Sequence, residues 1–206
     1  MKHAVLVTTI GVLCAGCASE RPGSPVQPDQ ASAVVAVSSA DGSAAGRISG
    51  AAVKMQTADV IDVTQGGAVA GSASLLRNDK GISVDVSTTG LVPNEVYTLW
   101  WIIYPPGCAD PLGCIVTNAS GVVTDGRGRA HFAAHLSIGP VGPADGSVTL
   151  AAGDFENPKD SEVVLVIHHH GPKIPTLVGR MLSTFDAGCP GSCADDPQFV
   201  DFPPAP

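Results

Sequence analysis

From about residue 47 onward, hydrophobic positions recur in short runs separated by Gly, Pro, Asn and Asp, a pattern that predicts β-strands joined by tight turns. The runs cover Ile48 to Val63, Ala68 to Leu76, Ile82 to Thr88, Val96 to Tyr104, Ile115 to Thr124, Ala130 to Ser137, Ser147 to Ala151 and Val163 to His169. In the third, Ile82, Val84 and Val86 alternate with Ser83, Asp85 and Ser87, so one face is buried and the other wet. Asp79-Lys80-Gly81 and Asp125-Gly126-Arg127-Gly128 supply the Gly that hairpin turns with positive φ require. The run from Val96 becomes apolar on both faces after Leu99, which makes it either the centre of the fold or the wall of a pocket. The bulk of its aromatics favours core packing, and a pocket would use Trp100, Trp101 and Tyr104. Leu177, Met181 and Leu182 stand at helical spacing within Pro175 to Phe185, giving one short helix near the C-terminus interrupted by Gly179. The fold class expected is all-β, an antiparallel β-sandwich or barrel.

Residues 18 to 46 break this pattern. They are rich in Pro, Ser, Ala and Gln, lack aromatic residues and predict a disordered tether, with Ala33 to Val37 as the one short run that could add an edge strand. Ahead of them, Lys2 precedes an apolar run from Ala4 to Leu13 that is too short to span a bilayer and has the form of a secretory signal. The organisation expected is a signal over 1–16, a tether over 17–46 and a β-sandwich domain over 47–206 with a Cys-containing tail.

Charge removes one class of partner. Eleven Lys and Arg against nineteen Asp and Glu give a net charge of −8, the wrong sign for a nucleic-acid surface. The 15% charged residues, 24 Gly and 17 Pro also exclude a long-helix or coiled-coil protein. An even set of cysteines beyond the signal, Cys108, Cys114, Cys189 and Cys193, reads as disulfides in an exported chain. Four cysteines allow three connectivities; local pairing of Cys108 with Cys114 and Cys189 with Cys193 is favoured because both loops close easily. Four thiolates around zinc is the competing arrangement, at spacings unlike the usual C-x2-C.

The histidines offer the main candidate chemistry. Strand alternation puts His131 and His135 on one face and His168 and His170 on another, with His169 opposite the latter two. Were the two strands neighbours with those faces aligned, the four imidazoles would converge on copper or zinc. The plainer reading is surface or hydrogen-bonded histidines and no cofactor. Asp154, Glu156, Asp160 and Glu162 form a solvated acidic loop, and no Gly-x-Ser-x-Gly, P-loop or His-Glu-x-x-His motif occurs.

Three resemblances follow. Leu13-Cys14-Ala15-Gly16-Cys17 resembles the lipobox of bacterial lipoproteins, which implies that Cys17 is lipidated and becomes the mature N-terminus. Ala18 after it implies placement at the outer membrane, facing the periplasm or the cell surface. Gly90-Leu91-Val92-Pro93 before an aromatic strand is similar to a segment of copper-zinc superoxide dismutases and chordin-type domains, both Greek-key sandwiches. The dismutase copper ligands nine and eleven residues after that first Gly are here Leu99 and Trp101, so the copper site is missing. Gly90 to Trp100, Phe132 to Leu136, His170-Gly171-Pro172 and the tail Cys189 to Phe199 together resemble a group of bacterial secreted proteins with no assigned activity. The function expected is a non-enzymatic binding or structural module of the cell envelope, anchored to the membrane by lipid, with a periplasmic copper- or zinc-binding protein as the alternative.

Overall fold

The structure, a computed structural model, describes residues 53–142, 148–188 and 196–206. The expected signal, the lipidated Cys17, the tether, the short run at 33–37 and the pair Cys189 and Cys193 lie outside the described residues, as do residues 48–52 and 147 of two expected strands. Among the described residues eleven strands form: β1 (Lys54–Asp62), β2 (Ala68–Asn78), β3 (Gly81–Thr88), β4 (Glu95–Tyr104), β5 (Ile115–Val123), β6 (Ala130–Ser137), β7 (Gly139–Val141), β8 (Thr149–Ala151), β9 (Gly153–Phe155), β10 (Glu162–Pro172) and β11 (Gln198–Phe202). One helix, α1, spans Val178–Met181.

Nine of the strands make one antiparallel sheet in the order β6-β3-β2-β1-β11-β10-β4-β5-β8, and β7 pairs with β9 separately. The sheet curls until β5 and β6 lie close to each other, so the fold is a sandwich-like half-barrel. One half is the meander β1 to β3 with β6; the other carries β10, β4, β5 and β8. Strand β11 joins them, pairing with β1 at Ile61↔Phe199 and Asp62↔Gln198 and with β10 over five residues from Val163↔Phe202 to Ile167↔Gln198.

Alternation accounts for the core. Leu75, Val86, Leu99, Trp101, Phe132 and Leu165 are all buried and point inward, each stabilising the fold by about 1.5–3 kcal/mol relative to an exposed side chain. The doubly apolar pattern of β4 has a direct cause: this strand is covered on both faces. Residues 173–188, including α1, lie across its outer side as an arm, where Met181 and Ala187 pack with Val96 and are joined by Ile174, Leu177 and Leu182. Gly121 on β5 allows that seating. A Cβ there would stand 2.2 Å from the Leu182 carbonyl oxygen and 2.7 Å from its Cα, so the arm's backbone rests directly on the strand.

A buried arginine fastens the opposite end. Arg77 on β2 has no exposed surface, and all five of its N–H groups are used. Nε donates to Gln56 Oε1 (2.6 Å), Nη1 to the carbonyls of Pro158 (2.8 Å) and Ser161 (2.7 Å), and Nη2 to those of Phe202 (3.2 Å) and Pro203 (3.0 Å). Burial pulls the guanidinium down to about 10, so it remains charged at neutral pH. Five neutral oxygens, rather than a carboxylate, replace its water shell and bind β2 to β1, to the 157–161 loop and to the end of β11.

Candidate functional site

The histidines do not converge. Strand β6 is an edge strand with β3, β2, β1 and β11 between it and β10, and its His131 and His135 are exposed. His131 Nε2 meets Asp85 Oδ2 at 2.8 Å, and His135 Nδ1 meets Ser83 Oγ at 2.8 Å, both across the β3–β6 ladder. His168 and His170 share the outer face of β10, as alternation requires, but are buried beneath the arm. Among the described residues no group of three or more His, Cys, Asp or Glu side chains is placed to hold a metal ion. The four-histidine copper or zinc site is therefore corrected: sheet order separates the two pairs.

Beneath the arm the histidines instead organise a polar chain. His170 Nδ1 donates to the Ala187 carbonyl (2.9 Å), so the neutral ring accepts at Nε2 from Thr98 Oγ1 (2.8 Å). Thr98 Oγ1 in turn accepts from Trp100 Nε1 (2.8 Å). Burial lowers the His170 pKa, outweighing the Ala187 hydrogen bond that favours the charged form. His168 faces acceptors on both sides, the Phe185 carbonyl at Nε2 (3.1 Å) and Asp196 Oδ1 at Nδ1 (2.5 Å). His168 is thus held between a carboxylate and a backbone carbonyl. The Phe185 ring stacks on His168 at 4.0 Å and meets Trp100 edge-on at 5.3 Å. His169, on the inner face, stacks on Tyr97 and bonds to Glu95.

Next to this chain the outer face of β4 opens into a cavity of about 430 Å³, within the range of small-molecule sites. Trp100, Ile102, Val116 and Val166 form its floor and Phe185 one wall. The β4–β5 loop forms another wall through Asp110, Leu112 and Gly113. Several restraints hold that loop, among them the Cys108–Cys114 disulfide, with its Cα atoms 5.9 Å apart, the Tyr104 hydroxyl donating to the Pro111 carbonyl (3.1 Å), and the Leu112 amide donating to Asp110 Oδ1 (2.9 Å). Burial first, then the carboxylates of Glu162, Asp110 and Asp201, raise the Tyr104 pKa and keep its hydroxyl a donor. Of the three expected pocket residues, Trp100 lines the cavity, Tyr104 secures its wall, and Trp101 points into the core.

A second recess of about 520 Å³ lies beside Asp62, Tyr97 and His169. Asp196, which also lines the Trp100 cavity, borders this recess too, and the other carboxylate there, Asp62, is already engaged. Asp62 accepts from the Thr64 amide and hydroxyl, the Gln65 amide and Gln198 Nε2. Burial alone would raise the Asp62 pKa, but these hydrogen bonds outweigh it and hold the group below the ordinary range. One side of the recess is thus a satisfied turn, whereas the Trp100 cavity offers a mostly apolar floor.

Sequence reading did not single out Asp110, Phe185 or Asp196. Asp110 had a signal, since it lies inside a Cys-bounded loop directly after the aromatic strand; Phe185 and Asp196 reach the cavity only through tertiary folding of the arm and tail. Fold and cavity together describe an antiparallel β-domain with an apolar, aromatic-walled recess on the outside of its sheet. The sequence matches no family model and no curated protein.

Proposed function

We propose that this chain is a non-enzymatic ligand-binding module of the bacterial cell envelope, held to the membrane through a lipidated Cys17 and a tether, with the Trp100 cavity as its binding site. The observation that carries the binding role is the composition of the cavity: a preformed apolar recess bounded by a disulfide-closed loop, with Leu112 and Leu150 lining the recess 76% and 56% exposed. Large aliphatic side chains kept in water at a concave site are what a binding surface retains and a purely structural one removes. The anchoring role rests on the lipobox-like Leu13 to Cys17 and the Pro- and Ser-rich stretch behind it. Kinship with the bacterial secreted group rests on the shared segments Gly90 to Trp100, Phe132 to Leu136 and His170 to Pro172.

Two measurements test the reading. Titration of the mature chain with the neutral fluorophore N-phenyl-1-naphthylamine is expected to give saturable binding that Val166→Trp, which fills the cavity, removes. Saturable binding unchanged in that variant, or no binding at all, rejects the site. An inhibitor of lipoprotein signal peptidase applied to producing cells is expected to accumulate precursor, and unaltered processing rejects the anchor.

A further inference from the structure

We infer that the cavity takes a small organic cation, an ammonium group carried on an apolar body; this rests on the binding role proposed above. Among the described residues two charged side chains line the cavity, Asp110 and Asp196, and both are carboxylates; no described Lys, Arg or His lines it. A neutral apolar ligand would gain nothing from that asymmetry, and an anionic one would be repelled by it. The aromatic geometry points the same way. Phe185 borders the cavity with one face stacked on His168 at 4.0 Å, and it meets the buried Trp100 edge-on at 5.3 Å. An aromatic ring at the edge of a site adds attraction for a cation, most strongly where water is excluded.

The carboxylates differ in how they are set. Asp110 is aimed by its own loop, with Oδ1 fixed by the Leu112 amide inside the disulfide-closed turn, so its charge is positioned before any ligand arrives. Asp196 is shared with His168, which holds it beside Phe185. The floor of Ile102, Val116 and Val166 demands an apolar body, and a volume of about 430 Å³ limits the occupant to a small molecule. A free divalent cation would leave that floor uncovered, and no side-chain cluster suited to one is present among the described residues.

The test uses three probes of one shape on the mature chain: benzyltrimethylammonium, its neutral carbon isostere neopentylbenzene, and benzylsulfonate, each followed by tryptophan fluorescence and calorimetry. The cation is expected to bind at least tenfold more tightly than the neutral isostere, and the anion not measurably. Asp110→Asn, a change on an exposed loop that leaves the sheet intact, is expected to weaken the cation three- to tenfold and leave neopentylbenzene unchanged. Equal affinities for cation and neutral isostere, or an unchanged cation affinity in Asp110→Asn, overturn the ligand class while the pocket stands. If none of the three binds, the pocket itself falls and takes the ligand class with it.

Discussion

Replacing Arg77 by Met should be among the most damaging single changes outside the core. The methionine would fill much of the same space but donate no hydrogen bond, leaving the carbonyls of Pro158, Ser161, Phe202 and Pro203 and the Gln56 amide oxygen without their donor. Each stranded buried acceptor costs about 1–3 kcal/mol. Relief of the desolvation that a buried guanidinium suffers works in the opposite direction. Gln56 keeps its own bond from Nε2 to the Pro203 carbonyl (2.9 Å), so that oxygen retains one partner. The balance should resemble other broken buried networks, a loss of about 3–5 kcal/mol. For a domain of this size that is a fall in melting temperature of about 6–20 °C. Arg77→Lys, with three donors in place of five, should lose roughly half as much. Urea unfolding of the protein, followed by fluorescence and far-UV circular dichroism, measures both. A Met variant within about 1 kcal/mol of the parent would refute the clamp, because it would mean that water or loop relaxation already satisfies those oxygens.

Other expected outcomes are smaller. The His170 pKa lies below its ordinary 6.5 because burial disfavours the cation, so the unfolded chain binds the extra proton first and stability falls as pH drops below 6.5 toward the folded pKa. The slope there should reach up to about 1.4 kcal/mol per pH unit and flatten in His170→Gln, which urea midpoints between pH 5 and 7.5 would reveal. Gly121→Ala should lift the arm from β5 at a cost of about 1–3 kcal/mol, visible as faster amide exchange at Leu182 to Thr184 than at β4; unaltered exchange would mean that the contact relaxes. Asn118, cross-strand from Trp100, has a buried Nδ2 with no hydrogen-bond partner among the described residues, so Asn118→Leu should leave stability unchanged or raise it by about 1 kcal/mol in thermal melts; a clear loss would show that the amide has a bound partner.

Strands were legible wherever alternation or an unbroken β-branched run marked them. The run at 130–137 is β6 itself, and Ile82 to Thr88 needed one residue more at its start. Strand β10 extends past His169 because a bulge between His169 and Gly171 lets the ladder continue to Pro172. Strand β11 was read as tail, since Pro197 and Pro203 flank it and Gln198 begins its buried face. That glutamine is inside because Thr88 donates to its oxygen (2.6 Å) while its amide donates to Asp62 and Thr89, partners more than a hundred residues away. The short β7 and β9 carry three residues each, too few for any period to show. For the site, the periodicity correctly paired the histidines by face, but alternation within a strand holds no information about sheet order, and sheet order is what separates them. The two-faced β4 left core and pocket as alternatives. Both are present, one on each side, because the arm that covers the outer face could not be foreseen from a segment that is helical over four residues only.

The place of β11 constrains how the chain can acquire its structure. It is the last strand in chain order, yet it occupies the seam between the two halves of the sheet. Until residues 198–202 are available, β1 and β10 present unpaired edges toward each other, with Val60, Leu165 and Ile167 poorly covered. Assembly is therefore governed by contacts between distant parts of the sequence, which makes it slow relative to a meander of the same size and leaves the incomplete sheet open to pairing with other chains. A chain built in this way stays unfinished while it is being synthesised, and commits to its native form only once β11 is available.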